Sequence, residues 1–288
     1  MFCFILILCL SIPVFAQHYG IEELKYIDIY VLTDYPHEFD LSGMVKTSDK
    51  CYMINDKRWS KYAYEFQAHE NSFYLVDSID LGIHPRTDLE SVDYCEGMGM
   101  FYTDENENIA YYSGNAGVSQ ILFEKEQLGF DLNWGHNKGL EGLAVDCKNQ
   151  VLYMAKERDP RFIASYDLKT QEIKDITLKD SEGDISDLKY EDGYLYILER
   201  NENLISKMDV ATNKIVARVS YKNTCSHPDG KMYEGSKYGM AEALLLTTDN
   251  IWIGLDNNGL PFSKHAEEVY GLSGNQPVII GFERPKGF

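Results

Sequence analysis

One five-residue phrase recurs along the chain about every fifty residues, and it limits the fold more than any other feature. It reads DLSGM at 40–44, DLESV at 88–92, GLEGL at 139–143, DISDL at 184–188 and MAEAL at 240–244. The middle residues are Ser42, Glu90, Glu141, Ser186 and Glu242, separated by 48, 51, 45 and 56 residues. Self-similarity at such a period marks a repeat architecture, in which each unit buries its apolar face against its neighbours. An acid inside an apolar run is also a poor strand residue, so its recurrence at one position asks for a reason.

Each phrase is followed by a second apolar run: CYMIND, MGMFYTDE, VLYMAKE, YLYILE and IWIGLD. Each of these closes on an acid: Asp56, Asp104 (with Glu105 as the alternative), Glu157, Glu199 and Asp256. Two further strand-like runs follow in most units, such as FIASYDL and EIKDITL in the third. Four strands of about five to six residues, with their turns, fill such a unit, and a repeated four-stranded antiparallel unit is a propeller blade. The expected fold is therefore all-β, a five-bladed β-propeller, with six blades as the alternative count. The fifth unit supplies only three strands of its own, ALLLT, IWIGL and VIIGF. The run KYIDIYVL at 25–32 is the missing fourth. Pairing of Ile27–Val31 with Val278–Phe282 would close the ring and remove two open sheet edges. Helical periodicity is confined to FSKHAEEVYGL at 262–272, enough for a turn or two.

Residues 1–16, MFCFILILCLSIPVFA, carry no charge and read as a signal peptide cleaved before Gln17. The apolar run is shorter than the ~20 residues of a membrane span; an uncleaved N-terminal anchor is the alternative. Residues 17–288 then form one domain, exported to the periplasm or secreted, monomeric, with no stable membrane span. The formal charge of −19 stays with it and repels nucleic acid and anionic lipid. Of the cysteines outside the leader, Cys51, Cys95, Cys147 and Cys225, the expectation is that Cys95 and Cys147 stay free. They nonetheless occupy matching positions in adjacent units.

In a propeller the start of each innermost strand and the end of each second strand meet at one end of the axis. Ser42, Glu90, Glu141, Ser186 and Glu242 would form an inner ring there. Asp56, Asp104, Glu157, Glu199 and Asp256 would form a wider ring, with Arg158 and Arg200 beside it. Carboxylates gathered around an axis repel and call for a cation. Oxygen donors from Glu and Ser suit Ca²⁺, which takes six to eight oxygens.

The phrases DLESVDY, GLEGLAVD, AKERDP, DISDLKY and AEALLL resemble the SdiA-regulated family of exported β-propellers over nearly all of the mature chain. That resemblance implies calcium at the propeller centre. The order Ser, Glu, Glu, Ser, Glu also resembles the calcium-activated nucleotidases (apyrases), five-bladed propellers with one axial calcium. Carried over position by position, Ser42, Glu90, Glu141, Ser186 and Glu242 match the calcium ligands of that pattern. The Asp-Asp-Arg-Thr-Gly stretch typical of the nucleotidases is replaced here by NDKRWS at 55–60.

There is no Gly-x-Ser-x-Gly elbow, phosphate-cradling glycine loop or HExxH motif. His136 and His227 stand in loops as lone candidates for proton transfer. Two functions stay open. One is a calcium-stabilised module whose metal face binds a small ligand or a protein partner. The other is a calcium-dependent hydrolase of phosphoesters or nucleotides, in which Arg158 and Arg200 would turn toward the substrate.

Overall fold

The computed structural model describes residues 20–35, 39–57, 60–84, 87–114, 119–128, 132–135, 138–177, 183–237 and 239–288. The leader read at 1–16 and His136 lie outside these residues. Each recurring phrase falls in or at the start of a strand: Leu41–Lys46, Leu89–Cys95, Leu140–Asp146, Ile185–Glu191 and Ala241–Leu246. Each pairs antiparallel with the strand that follows it: Cys51–Asn55, Gly99–Asp104, Val151–Lys156, Tyr194–Glu199 and Asn250–Leu255. Third strands are Tyr62–His69, Ile109–Gly114, Phe162–Asp167, Leu204–Asp209 and Val278–Glu283. The fourth strands are Ser72–Asp80, Ser119–Glu124, Ile173–Asp175, Lys214–Ser220 and, for the last unit, Tyr26–Thr33, and Glu22–Glu23 adds a short parallel fifth strand outside Lys214–Ser220.

Local chemistry sets the hairpins. Between Ile185–Glu191 and Tyr194–Glu199 the two-residue loop is Asp192-Gly193, with φ of 47° and 88°. Positive φ at both positions makes the turn whose twist matches the strands. Tyr26–Thr33 pairs with Val278–Glu283, from Tyr26 opposite Phe282 to Val31 opposite Val278. This is the pairing its place in the sequence predicts. Through Val31–Thr33 the same strand also runs parallel to Ser72–Tyr74 of the first unit, so the first and last units share one eight-stranded sheet.

The fold is all-β and propeller-like, and its core is divided among the gaps between units. Leu89, Val92 and Tyr102 pack against Val45, Tyr52 and Ile54. Equivalent clusters join the second unit to the third, the third to the fourth and the fourth to the last. Leu41, Met44 and Phe66 meet Ala243 and Ile279, joining the last unit to the first. Burial falls from inside to outside. Every residue of Leu140–Asp146 is buried, and none of Ser72–Asp80 is. No described helix is long and apolar enough to cross a membrane.

The structure corrects the expectation for two cysteines. Cys95 and Cys147 form a disulfide, with Cα atoms 5.6 Å apart. The inner strands of the second and third units converge there: Val145 N–H donates to Asp93 Oδ2 at 2.8 Å, two residues before Cys147. Cys51 and Cys225 remain thiols. The bond spans 52 residues, for which chain-entropy reasoning gives at most about 4 kcal/mol. Reduction, or Cys95→Ala with Cys147→Ala, is expected to lower the unfolding free energy by up to that amount in urea titrations. No change on reduction would show that the bond is not formed.

Candidate metal centre

A β-bulge occurs at the phrase's middle residue in all five inner strands. Register shifts fall between Leu41 and Gly43, Leu89 and Val92, Leu140 and Gly142, Ile185 and Asp187, and Ala241 and Ala243. The skipped residues include Ser42, Glu90, Glu141, Ser186 and Glu242. A bulge releases a residue from ladder pairing and re-aims its side chain. All five are buried, with exposures from 1% at Ser186 to 9% at Glu90. Glycine follows two of them because neighbouring units approach closely. A Cβ on Gly142 would lie 2.8 Å from Leu188 Cγ of the next unit, and one on Gly43 would lie 3.1 Å from the Val92 backbone nitrogen of the next unit as well as 3.0 Å from Ile54 Cγ1 across its own hairpin. One residue after each phrase's middle residue stand Gly43, Ser91, Gly142, Asp187 and Ala243. Ser91 Oγ reaches between non-adjacent units to donate to Asp187 Oδ1 at 2.6 Å.

The outer ring differs from its sequence reading at two places. Leu41, Leu89, Leu140, Ile185 and Ala241 lie opposite Asn55, Asp104, Lys156, Glu199 and Leu255. The next residues are Asp56, Glu105, Glu157, Arg200 and Asp256. Their N–H groups donate to the carbonyls of Asp40, Asp88, Gly139, Asp184 and Met240 at 2.9 to 3.3 Å. Asp104 and Glu199 thus sit one position early. Asp104 Oδ1 caps its turn by accepting from the N–H groups of Asp88 and Asn106, each at 3.1 Å. Glu199 is buried, pairing with Arg161 at 3.1 Å and accepting from Ser206 Oγ at 3.2 Å.

Ser42, Glu90, Glu141, Glu242, Asp56, Asp256, Arg158 and Arg200 line one open cavity of about 410 Å³. Ser186, Glu157, Asp104 and Glu199 are not part of its lining. Asp88, Asp184 and Glu105 line it as well. Asp88 and Asp184, together with Asp40, are the first residues of three of the phrases, so the sequence held a sign of them.

Burial sets the electrostatics. It pushes the Glu90 and Glu141 carboxyls well above the usual range. Glu141 and Asp56 add repulsion at Glu90, whereas Arg200 opposes the shift at Glu141. Burial raises Asp56 and Glu157 to about 7. Arg200 answers part of this charge by bridging Glu157 and Glu242 through its two terminal nitrogens. Arg158 pairs with Glu157 at 2.9 Å and with Asp184 at 3.1 Å. Ser186 Oγ, Glu157 Oε2 and Glu242 Oε2 are buried without a hydrogen-bond partner. Carboxylate oxygens of Glu105, Glu141 and Glu157 lie within 4.8 Å of one another, as do those of Asp56, Asp88 and Glu90. His227 is outside this region and stacks on His265, with ring centroids 5.3 Å apart.

The sequence profile of the SdiA-regulated family matches residues 75–227. The chain belongs to the SdiA-regulated family. No curated protein sequence matches it. Among solved structures, this SdiA-regulated chain is similar to glutaminyl cyclase from Myxococcus xanthus, with a TM-score of 0.52, 11% identity and coverage of 91% of this chain and 100% of that one. A gluconolactonase from Xanthomonas campestris gives a TM-score of 0.48, 11% identity and coverage of 84% and 72%. Virginiamycin B lyase from Staphylococcus aureus gives 0.46, 9% identity and coverage of 83% and 65%. At these identities the likeness concerns the fold alone.

Proposed function

We propose that this chain is an exported, single-domain, five-bladed β-propeller that holds one axial Ca²⁺ and uses the cavity above it to bind a small ligand or partner. The observation that carries the reading is the bulge at Ser42, Glu90, Glu141, Ser186 and Glu242, one in each inner strand. The donor set fits a hard cation: three carboxylates and two hydroxyls, with Ser186 Oγ and Glu242 Oε2 buried and unpartnered. When bound, the ion would supply the positive charge that offsets the buried carboxylates. Arg200 supplies part of that charge already. The uncharged leader at 1–16 and the Cys95–Cys147 disulfide support export.

Hydrolysis of phosphoesters or nucleotides has less support. It needs positive groups for the substrate, yet Arg158 and Arg200 are already engaged with Glu157, Asp184 and Glu242.

Calcium titration of thermal unfolding tests the reading. At a hundredfold excess over Kd, an ion that binds only the folded chain adds about 2.7 kcal/mol, or roughly 5 °C or more in a chain of this size. Glu141→Ala and Glu141→Gln are each expected to abolish the shift. If both keep the wild-type shift, the axial assignment is wrong. Without calcium, pH supplies a second readout. Asp56 and Glu157 hold protons in the folded chain up to about pH 7, whereas unfolded carboxyls release them near 4. The folded state binds more protons in that window, so calcium-free stability should rise as pH falls from 7 toward 5. Calcium should flatten the rise.

A further inference from the structure

A second cavity, of about 250 Å³, lies toward the other end of the inner strands and shares no lining residue with the acidic one. Lys46, on its rim, ends the strand that carries Ser42, and four residues of strand span about 13 Å. The cavity sits between the two halves of the eight-stranded sheet. Met44, Phe66 and Phe73 line it from the first unit, and Leu245, Trp252 and Ile279 from the last. Tyr30 braces the halves, its ring edge-on to Phe73 at 5.2 Å and to Trp252 at 5.5 Å. Cys51 joins the wall, and burial pushes its thiol up to about 12, so it stays neutral. An apolar cavity of about 150 Å³ already stays dry and accepts benzene. This one has room for such a ring and for the atoms that join it to a head group.

The opening carries one charge of each sign. Lys46 and Asp49 both line it, both are exposed, and neither forms an ion pair among the described residues. Asp49 Oδ1 accepts only from the hydroxyls of Thr47 at 3.4 Å and Ser48 at 3.2 Å. The Lys46 charge is felt at the Cys51 thiol, where it opposes the shift. Opposite charges that share an opening without meeting suit a ligand that carries both signs beside an apolar body. We propose that this cavity binds a free α-amino acid with a large apolar side chain. The side chain lies among Phe66, Phe73 and Trp252, the carboxylate faces Lys46 and the ammonium faces Asp49. This site is independent of the axial ion.

Full-length protein with calcium present is titrated calorimetrically with L-phenylalanine, N-acetyl-L-phenylalanine, L-phenylalaninamide and L-alanine. The second lacks the ammonium, the third the carboxylate and the fourth the ring. L-Phenylalanine should bind tightest, the two blocked forms about threefold to fivefold more weakly, as exposed ion pairs allow, and L-alanine not at all. Lys46→Met should erase the advantage of L-phenylalanine over its amide. Asp49→Asn, which keeps the Oδ1 acceptor, should erase its advantage over the acetylated form. Ala68 lines the cavity from an exposed position, so Ala68→Trp should fill it and abolish binding while the chain still folds. The proposal is overturned if L-phenylalanine does not bind below about 10 mM, if either blocked form or L-alanine binds as tightly, or if Ala68→Trp leaves binding unchanged. A dimer that Ala68→Trp disperses, with no amino acid bound, would give the cavity to a second copy of the chain instead.

Discussion

Arg200→Met is expected to lower calcium-free stability by about 3–5 kcal/mol, the cost of leaving buried charge unpaired. Arg200 occupies the outer-ring position that is acidic in the other four units, and it is the only cation there. Its guanidinium spans from Glu157 in one neighbour to Glu242 in the other. Burial opposes its charge, but Glu242, Glu141 and Glu157 outweigh that and hold it protonated beyond its ordinary range. Without it, Glu157, whose side chain is 0% exposed, keeps Arg158, and Glu242 loses the ion pair at Oε1. Calcium should then restore more stability to the variant than to the wild type. Arg200→Lys should recover only part, because an ammonium cannot bridge two carboxylates in a fork. Urea unfolding in chelator and in calcium measures both effects. Unchanged stability together with lost turnover of a phosphoester would reverse the argument and favour the hydrolase.

Asp187→Ala should cost a similar amount, about 3–5 kcal/mol, by a different route. Asp187 accepts from Ser91 Oγ at 2.6 Å in the second unit and from Leu244 N–H at 2.8 Å in the last. Lys189 Nζ is 3.3 Å from it, on a side chain only 8% exposed. Removing the carboxylate takes the acceptor from the Leu244 N–H and the paired charge from a buried lysine that then keeps the Val92 carbonyl at 2.9 Å, while Ser91 Oγ keeps the Leu143 carbonyl at 3.3 Å. Asp187→Asn should be nearly as harmful, since its amide NH₂ meets groups that also donate. Adding Lys189→Met to Asp187→Ala should recover part of the loss, because removing a buried pair together is far milder than halving it. Unfolding in chelator keeps any effect on neighbouring Ser186 out of the comparison. A loss below about 1 kcal/mol for Asp187→Ala would mean the contact is incidental.

Much of this arrangement is legible in the sequence because the phrase that marks each unit is also the place where the chain departs from regular pairing. Glu141 could be singled out because an acid between Leu140 and Leu143 has no place in an ordinary strand, and the bulge is what accommodates it. The missing strand was equally plain, since the last unit had three strands and KYIDIYVL had no other home. In the outer set Asp104 and Glu199 lie one residue before the cavity-lining Glu105, the alternative the spacing leaves open, and Arg200. A bulge or a longer turn shifts the register by one residue without altering the apolar pattern, so counting offsets cannot separate Asp104 from Glu105 or Glu199 from Arg200. The wall acids Asp88 and Asp184 carry a weaker sequence signal for another reason. They lie on the approach to the strand, where an acid looks merely solvated. The disulfide needed the angle between adjacent sheets, which no spacing encodes.

The strand exchange that completes the last unit also governs when the chain can fold. Tyr26 and Phe282 are partners separated by 256 residues, and closing a loop of that length costs on the order of 5 kcal/mol in chain entropy. The four main strands of each of the first four units come from contiguous sequence and can pair as they are made. The last cannot, and until residues 278–283 are present the segment 26–33 has no antiparallel partner. Assembly should therefore proceed in two kinetic stages: early zipping of local hairpins, then a slow closing event carried by this long-range strand pairing. A point substitution in Val278–Glu283 should thus slow the final stage while leaving the earlier ones untouched.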